Sequence, residues 1–127
     1  MTNSSNLIDS LEIYTLSNPV DVKSHWVSHF IVPTANELLI KIKNKNGNSG
    51  FGLATSYTDI DPLIKPFTNG LSDLIIGEDP FRPEKIYQKI FKLTDTKISN
   101  EKGWNKEAII RISAALDIAC WDLIGKS

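Results

Sequence analysis

The sequence predicts an α+β domain in which a three-stranded antiparallel β-sheet precedes a helical bundle. Apolar residues alternate with a period of two before Asp59, and the spacing changes to threes and fours after it. At 127 residues the chain is one domain's worth, short of the roughly 250 residues of a complete (β/α)8 barrel.

The pattern predicts strands over about 7–16, 37–45 and 50–57. In the first, Leu11 and Ile13 share one parity and Tyr14 and Leu16 the other. The second alternates more cleanly: Leu38, Ile40 and Ile42 share a face, and Lys41 and Lys43 point to solvent. Asn46-Gly47 supplies the turn into the third strand, so these two pair as a hairpin. The segment from Ser17 to Ala35, broken by Pro19 and Pro33, is read as a loop. It exceeds the usual connection length and carries His25, Trp26, His29 and Phe30, which marks it as a working part of the molecule.

Helices are predicted over about 59–75, 83–93 and 105–124. Ile60, Leu63, Ile64, Phe67, Leu71, Leu74 and Ile75 form one face of the first, with a break expected at Pro66. Pro83 opens the second, which buries Ile86, Ile90 and Leu93 or their neighbours Tyr87 and Phe91. A polar loop from Thr94 to Lys102 leads to the last helix. There Ala108, Ile109, Ile112, Ala115, Leu116, Ala119, Cys120 and Leu123 crowd one broad core face. A second apolar stripe, Ile110, Ala114, Ile118 and Trp121, runs down the far side, flanked by Ser113 and Asp117 and by Arg111 and Asp122. Such a helix needs cover on two sides, and the chain is too short to supply both.

Composition narrows the partners. Fourteen Lys and Arg against fifteen Asp and Glu give a net charge of −1, which removes the electrostatic case for nucleic acid. No apolar run approaches the roughly 18 residues of a membrane span, and the N-terminus lacks the charge pattern of a leader. The lone Cys120 favours a reducing compartment, so a cytoplasmic location is expected.

Ile75-Ile76-Gly77-Glu78-Asp79-Pro80, the helix start near Pro83, Gly50-Phe51-Gly52 after a turn, and the closing run from Ala114 to Lys126 resemble the N-terminal domain of the enolase superfamily, in its mandelate racemase/muconate lactonizing enzyme branch. The Asp117-x-Ala119-x-Trp121-Asp122-Leu123-x-Gly125-Lys126 pattern is the most specific element. The resemblance implies a single capping domain over residues 1–127, leaning over a (β/α)8 barrel that follows Ser127 and supplies the catalytic groups. It implies that the chain itself holds no catalytic or metal-ligating residue and that Mg2+ is required by the full-length enzyme, an acid-sugar dehydratase acting on a small carboxylate. A racemase or cycloisomerase of the same superfamily, or a free-standing dimerising module with this fold, are the alternatives.

Lys23-Ser24-His25-Trp26 resembles the Ser-Ser-Trp stretch of members that dehydrate six-carbon acid sugars, with His25 at the second serine. The resemblance folds this segment, and the turn Ala54 to Thr58, over the barrel mouth. His25, Trp26, His29 and Tyr57 are therefore the substrate-contact candidates, able to bond hydroxyls and stack on a sugar face. Ile110, Ala114, Ile118 and Trp121 are the interface candidates, facing the barrel or a partner subunit in a homo-oligomer. Competing chemistry is weaker. Lys41 and Lys43 read as a solvated strand face, and His25 and His29, four apart below Asp21, lie in loop composition. Asp117 and Asp122 sit about 140° apart on a helix, too far round to act as one carboxylate pair.

Overall fold

The computed structural model describes residues 4–19, 26–27, 30–31, 34–56 and 60–126. After a 3-10 turn at Ser4–Asn6, β1 (Ile8–Pro19), β4 (Thr34–Asn44) and β5 (Ser49–Ser56) form an antiparallel sheet in the order β1-β4-β5. The sequence pattern placed the ends of β1 and β4 short. The ladder continues through Ser17, Asn18 and Pro19 opposite Asn36, Ala35 and Thr34, because backbone pairing is indifferent to polar side chains and Pro19 ends an edge strand.

The segment read as a loop holds a small hairpin of its own, β2 (Trp26–Val27) paired with β3 (Phe30–Ile31). Its residues are β-prone, but two-residue strands fall below what a period-two pattern can register.

The helical half begins with two short helices, α1 (Asp61–Thr68) and α2 (Leu71–Ile75). The interruption falls at Asn69-Gly70, not at Pro66, which lies buried inside α1. Pro66 forfeits only the bond to the carbonyl of Pro62, in the first turn, whereas Gly70 takes a φ of 99° that right-handed helix cannot accommodate. Helix α3 (Pro83–Phe91) buries Ile86 and Ile90 with Leu93 half-buried, leaving Phe91 exposed and stacked on Tyr87 at 5.6 Å.

The expected polar loop after it is ordered: a 3-10 turn (Lys92–Asp95) and α4 (Lys97–Lys102). Thr96 caps α4, its Oγ1 accepting from the Ser99 amide while the Ser99 hydroxyl oxygen accepts from the Thr96 amide, each at 3.2 Å. Serine in place of the usual Glu or Gln hides this capping box from a sequence pattern. The last helix, α5 (Lys106–Lys126), starts on Asn105, whose Oδ1 accepts from the Ala108 amide at 3.0 Å.

The core lies where α5 crosses the inner face of the sheet and meets α3 on its other flank. Leu38, Ile40, Ile42 and Ala54 from the strands, Ile86 and Ile90 from α3, and the predicted broad face of α5 are all buried. Ser113 is buried with them, correcting its expected place at the stripe's edge; its hydroxyl donates to the Ile109 carbonyl at 2.8 Å and so carries no unsatisfied donor. Cys120 is buried as a small hydrophobe, and burial first, then the charge of Asp117, pushes its thiol up to about 12.

Candidate functional site

Helix α5 divides the closing sequence pattern into an inward set and an outward set. Inward, Ala115, Ala119 and Leu123 face Gly50 and Gly52 of β5 at backbone contact. A Cβ at Gly50 would fall on the Ala119 carbonyl oxygen and lie 2.8 Å from the Leu123 amide nitrogen, and one at Gly52 would fall on the Ala115 carbonyl oxygen. Glycines on the strand and alanines on the helix thus set how closely the two elements approach.

Two polar clasps hold that contact. The Phe51 amide, on the free edge of β5, donates to Asp122 Oδ2 at 2.9 Å, and Lys126 Nζ donates to the same oxygen at 2.7 Å while lying 5.0 Å from the centre of the Phe51 ring. The Lys126 bond, then the Phe51 amide, hold the Asp122 carboxyl below its ordinary range. One end of the strand is tied by Arg111, which donates to the Thr55 carbonyl and pairs with Glu107 at 2.8 Å. The sequence placed Arg111 and Asp122 only as flanks of an apolar stripe. Nothing in helical periodicity says that a side chain reaches a strand edge; the i,i+4 spacing of Asp122 and Lys126 was the available signal.

Outward, Ile118 is 54% exposed and Trp121 59%, with Ile110 and Ala114 exposed along the same stripe. All four interface candidates therefore lie together on one uncovered face. Asp117 is half-buried beside them. Lys41, expected in solvent, is half-buried on the other side of the sheet, its ammonium 5.7 Å from the Phe51 ring centre, because an aliphatic stem crossing an aromatic neighbour keeps only its head in water.

Of the substrate-contact candidates, His25, His29 and Tyr57 lie outside the described residues, and so does Asp21. Trp26 is described in its backbone alone, paired with Ile31 in β2. Tyr57 follows β5 directly, so the strand end tied by Arg111 is the one that leads into it. Among the described residues no three His, Cys, Asp or Glu side chains converge as a metal site would require, so these residues do not fit a magnesium centre. An open groove of about 480 Å³ beside α1, lined among others by Asp61, Ile64, Lys65 and Asn105, includes none of the described candidates. No helix among the described residues is long and apolar enough to cross a membrane.

Comparison with known proteins agrees with this geometry. The N-terminal domain family of mandelate racemase / muconate lactonizing enzyme matches residues 10–127. The D-gluconate/D-galactonate dehydratase of Picrophilus torridus is 30% identical over 119 residues, 94% of this chain but only 27% of that protein. Among solved structures, a member of the enolase superfamily from Agrobacterium tumefaciens superposes with a TM-score of 0.72 at 21% identity, over 95% of this chain and 34% of that one. The L-talarate dehydratase of Polaromonas sp. JS666, complexed with Mg and L-glucarate, superposes with a TM-score of 0.67 at 22% identity, over 94% and 29%. These two show the fold, and the chain spans about a third or less of the length of each relative. With the family matched from β1 to the end of α5, the chain belongs to the N-terminal domain family of mandelate racemase / muconate lactonizing enzyme.

Proposed function

We propose that this chain is the substrate-capping N-terminal domain of an Mg2+-dependent acid-sugar dehydratase and performs no catalysis by itself. The observation that carries this reading is the 30% identity, over 94% of the chain, to a D-gluconate/D-galactonate dehydratase of which it spans 27%. The rest of such a protein has ample length for a (β/α)8 barrel, and the ion, when bound there, stabilises the charge that develops on a carboxylate losing its alpha proton. Water is then lost from the neighbouring carbon.

The domain's own part is recognition and exclusion. His25, Trp26, His29 and Tyr57 belong to the two segments that would close over the barrel mouth, bonding the distal hydroxyls and stacking on the carbon chain. A substrate enclosed in this way reacts away from bulk water. The clasps at Phe51 and Thr55 support the reading, since a closing segment needs a fixed strand to hang from. So does the open stripe of α5, the last helix before the remainder of the protein.

The test is to incubate the full-length protein with six-carbon acid sugars and Mg2+ and follow the 2-keto-3-deoxy product. Turnover is expected with at least one. Racemisation or cycloisomerisation without loss of water would contradict the dehydratase reading while leaving the domain's family untouched.

A further inference from the structure

The chain carries a second uncovered apolar face, on the side of the sheet away from α5. Tyr14, Leu39 and Leu53 are cross-strand neighbours in one row, and Tyr14 is 44% and Leu53 46% exposed. Leu16, 45% exposed, extends the patch along β1. On the central strand β4 the positions on either side of Leu39 carry opposite charge, Glu37 one row to one side, beside Leu16, and Lys41 one row to the other, beside Glu12. Among the described residues neither enters an ion pair.

We propose that this outer face of the sheet is the contact for a second copy of the chain, packed face to face about a two-fold axis that runs along the Tyr14–Leu39–Leu53 row. The inference rests on the reading that the C-terminal remainder covers α5, because that remainder continues from the end of α5 and the sheet's outer face lies beyond the opposite surface of the sheet.

Charge placement selects the copy. A two-fold axis along the central row turns each flanking row onto the opposite flank of its mate, so Lys41 of each copy meets Glu37 of the other, twice per dimer. The three central apolar side chains meet their own counterparts and leave water together. Packed sheets cross at about 30°, which displaces rows about 7 Å from the axis by about 3.5 Å, within reach of a lysine and a glutamate. The same rotation sets Glu12 of each copy opposite Leu16 of the other on the edge strand β1, at the rim, where the Glu12 carboxylate accepts the Tyr14 hydroxyl and stays in contact with water.

Sedimentation equilibrium of the 127-residue chain up to ~100 μM tests the proposal, with circular dichroism confirming that each variant is folded. Wild type is expected to dimerise with Kd in the micromolar range. Leu53→Glu is expected to weaken the dimer more than tenfold and Trp121→Glu to leave it unchanged. Glu37→Lys and Lys41→Glu should each weaken it about tenfold by setting like charges opposite one another. Mixing the two single variants, or combining both changes in one chain, should restore it. A monomeric wild type overturns the proposal. Loss of the dimer through Trp121→Glu but not Leu53→Glu also overturns it, moving self-association to α5 and leaving the capping role to stand. Charge variants that fail to rescue one another overturn the two-fold arrangement.

Discussion

Gly50 and Gly52 show how much of this fold hangs on the absence of two side chains. Because a Cβ at Gly52 would occupy the position of the Ala115 carbonyl oxygen, Gly52→Ala must push α5 off the sheet. Overpacking of this kind costs about 1–3 kcal/mol, and contact with backbone, which cannot swing aside, puts the variant at the upper end. Urea unfolding should show it, with Gly125→Ala, inside α5 and with nothing within 4 Å, as a control that does not destabilise and is favoured by helix propensity. Asp122 acts at the same contact through charge. Its carboxyl is held below the ordinary value by Lys126 and the Phe51 amide, so the stabilisation is complete above the unfolded-state pKa of about 3.9 and disappears as pH falls through the lower folded value. Asp122→Asn is therefore expected to be less stable than wild type at pH 7 and to converge on it as pH falls through the lowered folded-state value, read from urea midpoints across the acid range.

At the scale of elements, the sequence is most legible where a long apolar period runs uninterrupted. Helix α5 and the alternation of Leu38, Ile40 and Ile42 are visible because burying one face demands them, and the outward stripe Ile110–Trp121 emerges from the same periodicity. Short elements held by single hydrogen bonds are not visible in that way. Helix α4 depends on the Thr96–Ser99 capping box, and Thr96→Ala should cost about 1 kcal/mol and lower amide protection across Lys97–Lys102 in hydrogen exchange. The split between α1 and α2 depends on the φ of Gly70, which outweighs the more conspicuous Pro66. The two faces of α5 make a matched prediction. Leu116, fully buried, should cost 2–5 kcal/mol as Leu116→Ala, while Trp121→Glu should change the stability of the isolated chain by less than about 0.5 kcal/mol. Of the candidate site, the interface candidates were readable as an exposed stripe; the clasps of Arg111 and Asp122 were not, because they join helix to strand across 56 and 71 residues of sequence.

For the whole molecule, the proposed capping role follows from a division of labour. The described residues build a core, fix β5 through two clasps, and leave apolar surface on α5, while no cluster among them is suited to hold a metal ion. On the proposed capping role, calorimetric titration of the chain with Mg2+ should give no tight stoichiometric site. The central proposal is that this domain completes an active site it does not contain, and the direct measurement is dehydration of the six-carbon acid sugar that the full-length protein turns over, by its two parts expressed separately and assayed with Mg2+ alone and mixed. Neither part alone should turn over the substrate, mixing should restore turnover, and Trp121→Glu should raise the concentration of this domain needed for half-maximal rate. Turnover by the 127-residue chain alone, or by the remainder alone with KM unchanged on adding this domain, would contradict the account.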